Sequence, residues 1–210
     1  MKIKKTLAIA LSVAFLSACG GGGSGDVGGG QTPVNKYSKV GNFPITDCVK
    51  DNITGLTWEG KTSSGLRDGL NQYSNFDSIN SNQRSWIPNS APYTPILSNV
   101  TQEQIDAATN SIGYKNYVNS IALCGYTDWR MPNFEELNGL VHGDSSGTSN
   151  LDVAWFPKPF FTPLWTSSGI GDLYPNQDYP YLAKFVISYP SSNPVRWHDR
   201  GASNFVRLVR

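Results

Sequence analysis

The chain has 210 residues, of which 39% are hydrophobic and 16% charged, with six Trp, ten Tyr and nine Phe. That composition excludes a disordered chain, and the length excludes more than one sizeable domain once a leader and linker are set aside. The formal charge is +1 at pH 7, and loss of an N-terminal stretch carrying Lys2, Lys4 and Lys5 leaves +1 − 3 = −2, which argues against long-range steering of nucleic acid.

Those three lysines precede an apolar run from Leu7 to Phe15, and residues 1–18 read as a secretory signal too short to persist as a spanning helix. Leu16-Ser17-Ala18-Cys19 resembles the lipobox of bacterial lipoproteins, which implies acylation of Cys19 and attachment to a membrane through that lipid. Gly20 after the cysteine, in place of Asp, implies the outer membrane by the same resemblance, on its periplasmic face or at the cell surface. Residues 19–35 form a Gly- and Ser-rich tether reaching ~20 Å, and residues 36–210 one domain. With Cys19 lipidated, Cys48 and Cys124 remain as a pair in an oxidising compartment. They are expected to form a disulfide, a free buried pair being the alternative. A bond closing 124 − 48 = 76 residues stabilises by ~4–5 kcal/mol in the chain-entropy account.

The domain opens with a hairpin from Cys48 to Glu59, two short strands around an Asp51-Asn52…Gly55 turn, with Leu56 and Trp58 marking one buried face. Lys61 to Val100 shows little periodicity and reads as a long loop. Arg84, Trp86 and Tyr93 stand out there, either as a ligand platform or as staples to the body. Asn99 to Leu123 is expected to be one helical region, with a Thr101/Gln104 capping box and a bend at Gly113. It delivers Cys124 to a corner, Gly125-Tyr126-Thr127-Asp128-Trp129-Arg130-Met131-Pro132. Pro132 ends the extended run, Asn133 caps a second helix with Glu136 reaching back to it, and Phe134, Leu137, Leu140 and Val141 share one face. Trp129 and Arg130 suit a core-pinning role, the arginine beside a carboxylate.

After that helix, His142 to Gly147 is a polar loop without the acidic spacing of a calcium loop. Trp155 to Phe161 is a stiff proline-aromatic loop. Leu164 to Ser168 and Tyr181 to Tyr189 read as strands, and Asn204 to Arg210 as a last strand with Arg207 and Arg210 on opposite faces.

Taken in order, Trp58-Glu59, the corner from Gly125 to Pro132 with Glu135-Glu136-Leu137, Trp165-Thr166-Ser167-Ser168 and Val206-Arg207-Leu208-Val209-Arg210 resemble the Lcl C-terminal domain family over about Cys48 to Arg210. The resemblance implies an α+β fold of the C-type-lectin and formylglycine-generating-enzyme kind, with a small twisted antiparallel sheet, two helices and long loops. In it Trp58, Glu59, Asp128, Trp129, Arg130, Pro132, Glu136 and Trp165 form a structural signature. It also implies a surface adhesin that binds sulfated glycosaminoglycans and assembles as a trimer, although this chain carries no Gly-X-Y collagen repeat.

Three functions compete. A lipid-anchored binding module would take a glycan or surface partner on Trp86, Tyr93, Arg196, Trp197, His198 and Arg200, rings stacking on sugars and cations meeting acidic groups. The bland alternative for Arg196 to Arg200 is a solvated hairpin with an internal ion pair. A structural lipoprotein would instead present the Trp155 to Phe161 loop to an envelope protein. An enzyme would need His142 or His198 beside Ser167 or Ser168 and an acid such as Asp199. No Gly-x-Ser-x-Gly elbow and no metal-ligand spacing supports that, so neither a cofactor nor a metal is expected.

Overall fold

The β2–β3 hairpin is built around one aspartate. β2 (Cys48–Asp51) and β3 (Thr57–Glu59) pair antiparallel with Cys48 opposite Glu59 and Val49 opposite Trp58. Asp51 Oδ1 accepts from the amides of Ile53 (2.9 Å) and Thr54 (3.1 Å), an Asx turn that Gly55 completes at φ +77°. β1 (Tyr37–Lys39) pairs with the outer side of β2. β3 is buried on both faces, Thr57 and Glu59 as well as Trp58, whereas alternation alone pointed to a single buried face.

The computed structural model describes residues 35–79, 82–85, 96–142, 152–157, 163–169, 183–187 and 195–210. Val34–Arg210 forms one compact unit, and its fold is α+β with small antiparallel sheets. The stretch read as a structureless loop contains a ribbon, β4 (Asn82–Ser85) against β5 (Ile96–Asn99). The expected single helical region is two helices, α1 (Gln102–Asp106) and α2 (Ser111–Ser120). Thr101 and Gln104 do form the capping box of α1. The break falls at 107–110 instead of at Gly113. Gly113 lies inside α2, where a Cβ would overlap the carbonyl oxygens of Asp106 and Ala107, so its role is close approach of two chain segments.

A 3-10 turn, Leu123–Gly125, leads to the corner with Ala122 and Cys124 both left-handed, at φ 46° and 54°. Cys124 is bonded to Cys48, as the cysteine count anticipated. α3 (Phe134–His142) begins as expected: Glu136 N–H donates to Asn133 Oδ1 (2.8 Å) and Asn133 N–H to Glu136 Oε2 (2.9 Å). Leu137, Leu140 and Val141 are buried. β6 (Leu164–Gly169), β7 (Ala183–Ile187) and β8 (Val195–Asp199) make a second three-stranded antiparallel sheet in that order. Arg196 to Asp199 thus lie on β8, paired antiparallel with β7, with Arg196 and Trp197 exposed and Asp199 buried. Among the described residues no helix is long and apolar enough to cross a membrane.

The C-terminal segment is not a regular strand. It makes separate bridges from Asn204 to Tyr73, Phe205 to Leu164, and Val209 to both Trp58 and Arg130, and in doing so separates two cores. Val206 and Leu208 join the cluster of Cys48, Tyr114, Cys124, Trp129 and Trp165. Val209 joins that of Tyr37, Trp58, Leu137, Leu140, Phe156 and Leu164. Period-two alternation places each set on its own side.

Gly113→Ala is therefore expected to destabilise the domain by roughly 1–3 kcal/mol, the usual effect of overpacking. A thermal midpoint equal to that of the unsubstituted protein would refute the close approach of α1 and α2.

Candidate functional site

The family-like signature residues prove to be architectural. Glu59 is fully buried, and its carboxylate Oε1 accepts from Lys61 Nζ (3.0 Å) and from the Tyr114 hydroxyl, while Oε2 accepts from Leu208 N–H (3.1 Å). Lys61 Nζ also donates to the Tyr114 oxygen (2.8 Å). Arg67 Nε lies 3.7 Å from Oε1, and its fork is held by Asp47 Oδ1 (2.7 Å) and Thr46 O (2.7 Å). Arg207, buried against the Phe156 ring, donates to the backbone oxygen of Glu59 (2.6 Å). Sequence reasoning missed Lys61, Arg67, Tyr114 and Arg207: Tyr114 and Arg207 lie 55 and 148 residues from Glu59, and nothing local marks that Lys61, two residues away, is buried with it.

Lys61, Arg67 and Arg207 gather around Glu59, with Asp47 pairing Arg67 from the other side. Burial, aggravated by Arg207 and Arg67 and partly offset by Glu59, pushes Lys61 down to about 8. Tyr114 moves the opposite way, burial and the Glu59 charge holding its phenol protonated.

The corner behaves as its bland reading anticipates. Trp129 is buried, its indole N–H donating to Leu123 O (3.1 Å), and Asn119 grips its amide (2.8 Å) and carbonyl (3.0 Å). Arg130 forks onto Glu136 at 2.8 and 2.6 Å, holding that carboxyl below its ordinary range. Arg130 is about half exposed, so the pair contributes only ~0–1 kcal/mol. Pro132 accepts at its carbonyl from Ser167 N–H (2.7 Å). Arg210 grips Asp128 at 2.7 and 3.1 Å and covers the Tyr126 ring at 3.6 Å. Trp165 is fully buried, bonded to Tyr73 O (2.6 Å). Ser167 Oγ donates to Pro132 O (3.1 Å) and Ser168 Oγ accepts from Phe134 N–H (3.0 Å). Phe156 of the proline-aromatic loop is buried in the second core.

The expected ligand residues fare differently from one another. Trp86, Tyr93 and the lipidation residue Cys19 lie outside the described residues. On β8, Arg196 is exposed, and Trp197 is 54% exposed. Alternation puts Arg196 and His198 on one face of the strand and Trp197 on the other. His198 is half-buried, its Nδ1 3.0 Å from Asn204 Oδ1 and its ring edge-on to Trp165 at 6.3 Å. Arg200 is not available at the surface: it is buried, paired with Asp77 (2.5 Å) and bonded to Asn75 O (3.3 Å). Its own carbonyl accepts from Asn75 N–H (2.7 Å). The four residues therefore divide into an anchor, Arg200, and a rim along β8 made of Arg196, Trp197 and His198. Among the described residues no three His, Cys, Asp or Glu side chains gather as metal ligands.

Comparison with known proteins bears on the family alone. The family described as Lcl C-terminal domain matches residues 47–210. No curated protein and no solved structure matches the chain.

Because the folded Lys61 releases its proton at about 8 and an unfolded lysine at about 10.4, stability is expected to rise as pH climbs from about 8 to about 10. Lys61→Met is expected to flatten that rise in thermal unfolding. An equally steep rise in the variant would show that another group carries it.

Proposed function

The chain belongs to the Lcl C-terminal domain family, and from that premise we propose that it is a lipid-anchored envelope protein whose domain binds glycans, acidic ones included. Lipid on Cys19 holds it to the outer membrane, and the tether lets the domain reorient. The observation that carries the reading is Trp197, a large ring 54% exposed on the last strand of its sheet. Exposed apolar rings scattered singly are ordinary, but this one stands on a strand fastened at its end and in its middle. Arg200 ties the end of β8 to Asp77 and Asn75, and His198 ties its middle to Asn204. A ring held this way loses little entropy when a sugar face stacks on it. Arg196, exposed on the other side of the same strand, meets an acidic substituent of a chain that runs along the rim.

Two experiments test the parts separately. Trp197→Ala should weaken retention of neutral and acidic glycans by about tenfold or more on an array, and Arg196→Ala that of acidic glycans alone. Neither should move the thermal midpoint, since neither side chain is in the core. Binding unchanged in both variants would remove β8 as the site. Cys19→Ser should transfer the protein from the membrane fraction to the soluble envelope fraction; continued sedimentation with membranes would refute lipid anchoring.

A further inference from the structure

Among the described residues, the two most exposed large hydrophobic side chains belong to segments that touch the point where the chain enters the domain. Ile53 is 68% exposed and Val153 65%. Ile53 stands at the tip of the β2–β3 hairpin, where Asn52 donates from its amide to Lys36 O (2.8 Å) and from its side chain to Asn35 O (2.8 Å). Val153 stands in a short turn beside Tyr37: Trp155 packs on that ring at 6.3 Å and Phe156 edge-on at 5.3 Å. Asn35 to Tyr37 therefore meets both segments. Each aliphatic tip is held out by its turn, Ile53 by the Asp51 carboxylate and Val153 by Asp152, whose carbonyl accepts from Trp155 (3.0 Å) and Phe156 (2.8 Å).

An ammonium accompanies each tip. Lys50 Nζ donates to Gly55 O, two residues from Ile53, and Lys36 Nζ lies 5.0 Å from the centroid of the Tyr37 ring. Of the two acids in these turns, Asp51 is buried and occupied by hairpin amides. Asp152 is exposed and caps its own turn through Ala154 N–H (2.9 Å). Separate aliphatic tips with lysines beside them suit the boundary between lipid phosphates and acyl chains, since a bilayer accepts isolated side chains where a protein partner needs a contiguous apolar patch. Position points the same way. A tether from a lipid on Cys19 joins the domain at this end and reaches ~20 Å, so the bilayer is present at high effective concentration and a contact too weak to bind alone becomes populated.

We propose that the tether end of the domain is a membrane-contact face: Ile53 and Val153 enter the headgroup region of an anionic bilayer, and Lys36 and Lys50 meet its phosphates. This rests on the lipid-anchoring part of the proposed function. It turns the tether from a passive leash into the first of two contacts that set how the domain stands on the membrane.

The test uses the full acylated chain reconstituted in vesicles of phosphatidylglycerol and phosphatidylcholine that carry a trace of phospholipid with a photoreactive headgroup, the adducts being mapped by mass spectrometry. Adducts should concentrate on residues 50–55 and 152–155, about fivefold or more above those on β8. That map does not depend on any variant folding. Ile53→Ser combined with Val153→Ser should lower labelling of both segments about fivefold and leave the thermal midpoint unchanged, since neither side chain is in the core. Lys36→Gln combined with Lys50→Gln should abolish the stronger labelling in phosphatidylglycerol than in phosphatidylcholine alone. Adducts spread evenly over the domain, labelling undiminished in the aliphatic variant, or a lipid preference retained in the lysine variant would overturn the proposal. A wild-type chain that floats with the vesicles yet is labelled evenly keeps the anchor and loses the face. A chain that does not float with them loses both.

Discussion

Glu59 carries an ionised carboxylate into the interior, and the rest of the structure is arranged so that this is tolerable. A carboxylate removed from water without partners is unfavourable by several kcal/mol even after relaxation. Here it accepts from Lys61, Tyr114 and the Leu208 amide, with Arg67 beside it. Those donors come from the segment after β3, from α2, from the terminal segment and from the loop before Tyr73, so one group draws four separate parts of the chain together. Loss of the carboxylate would leave Lys61 buried with Tyr114 and without its countercharge, which is the worse side of the asymmetry between making and breaking a buried ion pair.

The disulfide works at the neighbouring position. Cys48 faces Glu59 across the β2–β3 ladder, so the cross-link and the charge centre share one pair of strands. Its other end, Cys124, stands in a stretch where Ala122 and Cys124 both adopt left-handed backbone, a conformation that is unfavourable by ~1–3 kcal/mol for residues with a side chain. The bond to Cys48, the grip of Asn119 on Trp129 and the reciprocal bonds between Arg130 and Val209 hold the corner in that shape. Trp129 and Arg130 consequently belong to the scaffold. Surface chemistry is left to a part of the domain farther along the chain.

The part proposed for binding is β8, and what it offers follows from how it is fastened. Arg200 is buried and His198 half-buried, both bonded, while Arg196 and Trp197 are exposed on opposite faces of the strand they fasten. Rigid presentation favours recognition of stiff ligands such as sugars, for which preorganisation counts more than area.

The sequence by itself determined whatever depends on neighbours a few residues apart. The Thr101–Gln104 and Asn133–Glu136 boxes, the Asp51 turn and the buried stripe of α3 are all present, because capping, turn chemistry and helical period act over one or two turns of chain. The Cys48–Cys124 bond was also legible, since compartment and count left one pair. Tertiary structure alone decided that Arg200 meets Asp77 and not a ligand, that Glu59 gathers three cations, that the helical stretch breaks at 107–110, and that Arg196 and Trp197 face opposite ways on a strand. A charged side chain carries no mark of its partner in the sequence. Whether it ends in water or against an opposite charge is settled only when distant segments close around it and desolvation makes the pairing obligatory.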